Sequence, residues 1–160
     1  MTVLARSFCT ITLLLAAIPG AFANEQSGSQ PDCYDAIVKA RISKQVPSVT
    51  PECGPDCLIM VWPWFLDLEV KRSLVGDVPR GKLQTLAMLH TFFRLDLGNR
   101  QWWLRRNTLG GYNVLRFSRE QKLLRCGKGS EPADAYIIPS PSRSLADLRA
   151  EGERAYHISE

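Results

Sequence analysis

The segment from Trp62 to Lys71 reads WPWFLDLEVK and has the clearest pattern in the chain. Large apolar residues occupy every second position, and from Asp67 onward the positions between them are charged. Successive side chains of a strand point to opposite faces, so a strand places all the charged residues on one face, whereas a helix would scatter them. The segment therefore predicts a strand whose buried face carries Trp62, Trp64, Leu66, Leu68 and Val70.

Further strands are predicted on both sides of this segment. Residues 36–42 alternate in the same way, and residues 82–95 form a long stretch that is largely apolar on both faces. Residues 101–106 and 112–117 flank the sequence NTLGG, which is typical of a hairpin loop. Five strands with little helix between them predict a mainly β fold, either a five-stranded OB-like barrel or a compact sandwich, with short C-terminal helices.

The two helices are predicted from their first residues. Residues 118–121 fit a capping box ahead of Leu123 and Leu124, and residues 144–147 fit a looser one ahead of Leu148. Gly152 lies inside the second helix, where glycine costs about 1 kcal/mol relative to alanine. We therefore expect residues 33–126 to form the barrel domain, and residues 127–160 to form a loop and a C-terminal helix packed on it.

The N-terminal sequence predicts export from the cytoplasm. Arg6 precedes an apolar stretch from residue 8 to 18, and Ala21-Phe22-Ala23 fits a cleavage site. We expect residues 1–23 to be a signal peptide and residues 24–32 to be a flexible arm, which makes the mature protein periplasmic or secreted. The apolar stretch is shorter than a transmembrane helix usually is, and no membrane span is expected after cleavage.

Four cysteines remain after the expected cleavage, and an even number in an oxidising compartment favours disulfides. Of the three pairings, we favour Cys53–Cys57, around a turn-forming interior, together with Cys33–Cys126. Two alternatives are a redox dithiol formed by Cys53 and Cys57 and a zinc site formed by all four cysteines. The loose spacing of the ligands argues against zinc, so we expect no metal and no cofactor.

Composition excludes several classes of function. The 160-residue chain has 45% hydrophobic and 22% charged residues, as an ordinary globular protein has. Removing Arg6 with the signal leaves 19 basic and 16 acidic residues, a balance too mild for a nucleic-acid-binding protein. The sequence contains no phosphate-binding loop, nucleophile elbow, HExxH motif or dinucleotide-binding glycine run. We therefore assign no catalytic residues.

The turn after the Trp62 strand resembles a known group of domains. Val70-x3-Leu74-x-Gly76-x2-Pro79-x-Gly81, with alternating strands on both sides, resembles the central hairpin of exported bacterial OB-like domains related to the netrin/TIMP-like group. The resemblance covers roughly residues 33–117 and implies a barrel with a closing helix. The inhibitory members of the group use an N-terminal C-x-C segment. Cys33-Tyr34-Asp35 is not such a segment, so that mechanism is not carried over.

Aromatic and basic residues concentrate in one stretch, and we predict a binding surface there formed by Trp103, Arg105, Arg94 and Arg106. Trp102 and Trp103 point to opposite faces of a strand, and we expect Trp103 to be exposed beside Arg105. Trp and Arg are enriched at binding hot spots. In the structural alternative, the arginines pair with Asp67, Glu69 and Asp96.

We expect an exported, non-catalytic binding or envelope-associated domain that recognises a protein or an acidic or glycan envelope ligand. One alternative is a periplasmic thiol-redox or metal-dependent envelope protein that uses Cys53 and Cys57. A second alternative is a purely structural envelope factor.

Overall fold

The computed structural model describes residues 33–49, 59–93, 95, 98–115 and 123–158. Within these ranges lie seven strands and one helix. They are β1 (Cys33–Tyr34), β2 (Ala36–Pro47), β3 (Trp62–Val75), β4 (Gly81–Leu89), β5 (Arg100–Arg106), β6 (Tyr112–Val114), β7 (Leu124–Arg125) and α1 (Leu145–Ala155). The expected signal and arm, Cys53, Cys57 and Arg94 lie outside the described residues.

Five of the strands close into a barrel in the order β2-β3-β4-β6-β5. The pairs β2–β3, β3–β4, β2–β5 and β5–β6 are antiparallel, and β4 and β6 are parallel. The mainly β prediction is confirmed, and of its two alternatives the barrel is the one formed. This arrangement is consistent with an OB-like barrel.

The alternation that defines β3 fills the interior of the barrel. Trp64, Leu66, Leu68 and Val70 are all buried in the main core, and Trp62 is packed against that core. Burying apolar side chains of this size stabilises the fold by about 1.5–3 kcal/mol each, relative to leaving them exposed. The predicted inward face of this strand is confirmed.

A second apolar cluster covers part of the outer face of the barrel. Val46, Phe65 and Leu86 are buried there against Ala135 and Ile137, which follow β7 in the chain. Leu145 and Leu148 of α1 pack against the same cluster. Strand segments near Phe65 and Leu86 are therefore apolar on both faces, because one face lies inside the barrel and the other lies under the C-terminal segment.

Strand β4 is shorter than the predicted strand, because it ends at Leu89 and not near residue 95. The side chain of Gln45 explains the difference. Its Nε2 donates a hydrogen bond to the carbonyl of Phe93 at 2.9 Å, and its Oε1 accepts one from the amide of Phe93 at 2.7 Å. A side chain on β2 thus satisfies the backbone of Phe93, which leaves residues 90–93 free to turn away from the sheet.

The prediction that Leu124 lies in a helix was wrong. Leu124 belongs to β7, which pairs in parallel with β1, and its side chain is 71% exposed. The disulfide between Cys33 and Cys126 holds this small sheet, with the two Cα atoms 4.9 Å apart and a sequence separation of 93. A loop of this length contributes on the order of 4–5 kcal/mol in the chain-entropy description. The capping residues 118–121 lie outside the described ranges.

Helix α1 begins as its sequence predicts and ends against β2. Ser144 and Asp147 form a reciprocal capping box, and hydrogen bonds from Ser144 lower the pKa of the Asp147 carboxyl. Gly152 is the buried residue of the helix, and a Cβ atom placed on it would lie 2.2 Å from the carbonyl oxygen of Pro47. Glycine is therefore required at this position by the close approach of the helix to the strand.

Replacing Gly152 with alanine should destabilise the protein, although alanine normally favours a helix. The added methyl group forces α1 away from Pro47, and we expect a loss of about 1–3 kcal/mol in the free energy of unfolding. Urea denaturation measures this loss. Arg154→Ala, at an exposed position of the same helix, should change stability by less than about 0.5 kcal/mol. A stabilising Gly152→Ala substitution would contradict the packing described.

Ion pairs also fix α1 on the barrel. The Arg149 guanidinium donates two hydrogen bonds to the carboxylate of Asp67 on β3, at 2.8 and 2.7 Å. Glu153 lies 3.0 Å from the ammonium of Lys44 on β2 and 3.1 Å from Nε of Arg149. The hydrogen bond from Lys44, followed by that from Arg149, lowers the pKa of the Glu153 carboxyl below its ordinary value of 4.5.

This lowered pKa predicts that acid weakens the docking of α1. The contribution of Glu153 is fully present above pH 4.5 and is lost as the pH falls through the lower pKa of the folded state. The stability difference between wild type and Glu153→Gln should therefore shrink on acidification, which urea denaturation at a series of pH values measures. Glu131→Gln, at an exposed carboxyl, is the control. A Glu153→Gln difference that is independent of pH would contradict the prediction.

Candidate functional site

The barrel opens where β6 ends. Residues 112–114 pair with residues 85–87 of β4 on one side and with residues 104–106 of β5 on the other. One more hydrogen bond, from the Leu115 amide to the Trp103 carbonyl at 2.9 Å, follows on the β5 side. Beyond this point, Met88 and Leu89 of β4 and the first residues of β5 have no pairing with β6. In the described part of the chain, β6 therefore pairs with only part of β4 and β5.

A cavity of about 380 Å³ occupies this gap. Its walls are the ends of β4 and β5, the segment 90–93 and the end of β6. Aromatic rings dominate the lining, which contains Phe92, Phe93, Trp102 and Trp103, and the polar groups include His90, Thr91 and Gln101. Ligand sites in proteins commonly have this size and this mixture of many apolar groups with few polar ones.

Two sets of ring contacts connect the cavity with the core of the barrel. Trp64 is 1% exposed, and its ring lies edge-on to that of Phe92 at a centroid distance of 4.6 Å. Phe93 meets Trp102 edge-on at 5.5 Å, and Nε1 of Trp102 donates a hydrogen bond to the Ala40 carbonyl at 3.0 Å. The buried rings thus hold the two phenylalanines in place at the cavity wall.

Apolar side chains also project from the rim of the cavity. Phe92 is 52% exposed, and Met60, Phe93 and Leu95 are exposed as well. Met60 belongs to the same rim, because its carbonyl lies 2.6 Å from Nδ1 of His90 in a hydrogen bond. Scattered single apolar residues are common on protein surfaces, but a contiguous apolar patch marks a site of interaction.

An exposed cation, Arg100, lies next to this apolar rim. Arg100 is exposed at the start of β5 and lines a smaller cavity together with Phe93, Leu95 and Trp102. In the β2–β5 register Arg100 is opposite Ala40, whose neighbours in sequence, Lys39 and Arg41, are both exposed. Because neighbours in a strand alternate between faces, Lys39 and Arg41 point to the other face of the sheet, and of these three cations Arg100 is the one that borders the apolar rim.

The structure separates the residues that were predicted to form one binding surface. Trp103 is half-buried and lines the cavity. Arg106 is exposed at the other end of β5 from Arg100, and Arg94 lies outside the described residues. Trp102 points into the barrel, as expected for the buried member of the tryptophan pair.

The expectation that Arg105 is exposed beside Trp103 was wrong, because Arg105 is only 6% exposed. It points outward from the barrel, but β1 and the segment around Glu131 cover it. Its Nη1 lies 2.9 Å from Oδ2 of Asp35, and its Nη2 donates to the Glu131 carbonyl. The Asp35 carboxylate also accepts a hydrogen bond from the Arg106 amide at 2.7 Å. Arg105 thus ties β5 to the covering segments. Its partner is Asp35 and not Asp67, Glu69 or Asp96, the carboxylates expected in the structural alternative, and Asp67 pairs with Arg149.

The sequence pattern did not predict that Phe92 and Phe93 line the cavity or that Met60 lies at its rim. Phe92 and Phe93 were assigned to the interior of a long strand, where each would have been one of many core residues. The available signal in the sequence was that residues 82–95 are apolar on both faces. No predicted strand was left to cover the two phenylalanines. Trp62 and Trp64 were read correctly as core residues.

Metal and membrane sites are not found in the described part of the chain. There, no group of three or more His, Cys, Asp or Glu side chains could hold a metal ion. Among the same residues, no helix has the length and apolar character required to cross a membrane.

Comparison with known proteins yields no relative. No family model matches the chain, and no curated protein or solved structure matches it significantly. The barrel is consistent with the OB-like part of the resemblance stated above, and nothing in the comparisons supports the netrin/TIMP-like part.

Removing the Arg105 side chain should destabilise the protein. Arg105→Gln leaves the largely buried Asp35 carboxylate without its ion-pair partner, and we expect a loss of about 2–4 kcal/mol in the free energy of unfolding. Urea denaturation measures the loss. Arg106→Gln, at the neighbouring exposed position, should stay within about 0.5 kcal/mol of wild type. Equal stability of the two variants would show that Arg105 does not hold the covering segments in place.

Proposed function

We propose that this chain is an exported, non-catalytic binding domain that holds a partner protein at the open end of its barrel. In this proposal the protein is periplasmic or secreted, where a disulfide such as Cys33–Cys126 persists. The partner inserts an apolar side chain into the cavity beside β6, and acidic residues next to that side chain meet the exposed Arg100. The observation that carries the proposal is the aromatic cavity with its projecting apolar rim.

The lining of the cavity supports an apolar occupant. Four aromatic rings and the aliphatic side chains of Met88, Leu89 and Leu115 leave few polar groups in the walls. A buried charge without a partner would be costly there. A volume of about 380 Å³ accommodates a large aromatic or aliphatic side chain. The edge-on contacts of Phe92 and Phe93 with buried tryptophans fix the walls in advance, which reduces the entropy lost on binding.

The exposed apolar side chains of the rim favour a protein as the ligand over a small molecule. A small molecule is largely enclosed by its pocket, and its binding would leave Met60, Phe92 and Leu95 projecting into water. A peptide segment whose side chain enters the cavity would cover these rim residues with its neighbouring residues. Protein interfaces are built in this way, from a central anchor surrounded by contacts that exclude water.

The charge next to the rim supports an acidic partner. Arg100 is exposed and lines a smaller cavity together with Phe93, Leu95 and Trp102. Complementary charge raises the rate of association and favours the correct partner. A peptide segment in which Asp or Glu residues flank an apolar residue would place the apolar side chain in the cavity and a carboxylate beside Arg100.

Three labelled peptides test the proposal by fluorescence anisotropy. One carries Trp-Phe between acidic residues, the second replaces Trp-Phe by two alanines, and the third replaces the acidic residues by lysines. The acidic aromatic peptide should bind at least about tenfold more tightly than the other two, a difference of about 1.4 kcal/mol. Phe92→Ala and Arg100→Glu should each weaken its binding by about fivefold or more.

Matched variants control for general surface effects. Ile138→Ala removes an apolar side chain that is 70% exposed elsewhere on the surface, and Arg154→Glu reverses a charge on α1. Neither should change the affinity, and thermal denaturation checks that every variant is folded. Equal binding of the three peptides, or no binding at all, would refute the proposal. Tight binding of a fatty acid in place of the peptides would identify the site as that of a small amphiphile.

A further inference from the structure

The surroundings of the Cys33–Cys126 disulfide are asymmetric. Nη1 of Arg105 lies 2.9 Å from Sγ of Cys126 and donates a hydrogen bond to it. Among the described residues, none donates a hydrogen bond to Sγ of Cys33. Both cysteines are half-buried, so neither sulfur is sealed in the core. One sulfur of the bond therefore has a cationic donor, and the other has none in the described structure.

This asymmetry matters for thiol–disulfide exchange. In that reaction a thiolate attacks one sulfur of the bond, and the other sulfur leaves as a thiolate. The exchange is faster when the leaving thiol has a lower pKa. A neighbouring arginine lowers the pKa of a thiol because it stabilises the negative charge. The contact with Arg105 therefore makes Cys126 the better leaving group of the two cysteines.

We propose that Cys33 is a site of S-thiolation by a small thiol, with Cys126 as the leaving group. The thiolate of the small thiol forms a bond to Sγ of Cys33, and the Cys33–Cys126 bond breaks. Its electron pair leaves with Sγ of Cys126, which remains as a thiolate beside the Arg105 guanidinium. The proton of the incoming thiol has already passed to solvent, and one disulfide replaces another without net oxidation.

The position of the disulfide allows this reaction without loss of the barrel. Cys33 and Cys126 lie on or next to β1 and β7, which are outside the five strands that close the barrel. The Arg105–Asp35 ion pair still connects β1 to β5 after the exchange. Exchange therefore removes the covalent link between β1 and the Cys126 segment and leaves their backbone hydrogen bonds, while the core packed around β3 stays in place. The disulfide thus acts as a reversible modification site beside a stable domain.

Peptide mapping of the full chain tests the direction of the exchange. The protein is treated briefly with reduced glutathione, quenched with acid, alkylated and analysed by mass spectrometry after proteolysis. Glutathione should be found on Cys33 and the alkyl group on Cys126, in at least about tenfold excess over the reverse arrangement. An even distribution, or glutathione mainly on Cys126, would overturn the proposal.

Variants of Arg105 and Asp35 test the cause. Arg105→Gln should slow the exchange by about fivefold or more and abolish the preference for Cys33, whereas Arg106→Gln should leave both unchanged. Asp35→Asn removes the carboxylate that shares Nη1 of Arg105, and should accelerate the exchange while keeping the preference. A faster exchange with an even distribution in Asp35→Asn would reveal loosening of the fold, and would count against the proposed role of Arg105.

A measurement on the thiol of Cys126 remains decisive if Arg105→Gln does not fold. In Cys33→Ser, the pH dependence of the rate of alkylation at Cys126 reports the pKa of its thiol. This pKa should lie at least about one unit below the ordinary value near 8.5. An ordinary or raised value would show that the Arg105 contact does not stabilise a thiolate, and would refute the proposal.

Discussion

Strand β6 limits how far the barrel can close. Three residues, Tyr112–Val114, provide the pairing between β4 and β5, and the pairing on the β4 side is parallel. Among the residues that the structure describes, this pairing stops at Val114, and one further hydrogen bond joins Leu115 to Trp103 of β5. A cavity lined by aromatic rings lies at this end of the two strands. The same short strand therefore closes the barrel and leaves the opening that we assign to binding.

The two ends of β5 have different roles. At its start, Arg100 and Trp103 lie beside the cavity, and the surface is apolar and positively charged. At its end, Arg105 is buried against Asp35 and Glu131 and supports the segments that cover the barrel. Residues that look alike in sequence thus have opposite functions, since a buried arginine with a carboxylate partner contributes structure and an exposed one remains accessible to a ligand.

Local patterns predicted the parts of the fold that depend on neighbouring residues. The inward face of β3 and the capping box of α1 could be read from a few consecutive positions. The burial of Arg105 depends on Asp35, 70 positions away, and the exposure of Phe93 depends on Gln45, 48 positions away. Such pairings follow from the register of distant strands, which one sequence does not specify. Of the four residues predicted to form the binding surface, Trp103 lines the cavity of the proposed site.

Hydrogen–deuterium exchange with and without the acidic aromatic peptide tests the link between barrel closure and binding most directly. Without peptide, the amides of β6 should exchange as slowly as those of β3, since β6 is paired on both sides. With peptide, protection should increase at residues 88–93 and 100–103, while α1 stays unchanged. Fast exchange in β6, or protection that appears around Arg106 or α1 instead, would contradict the account.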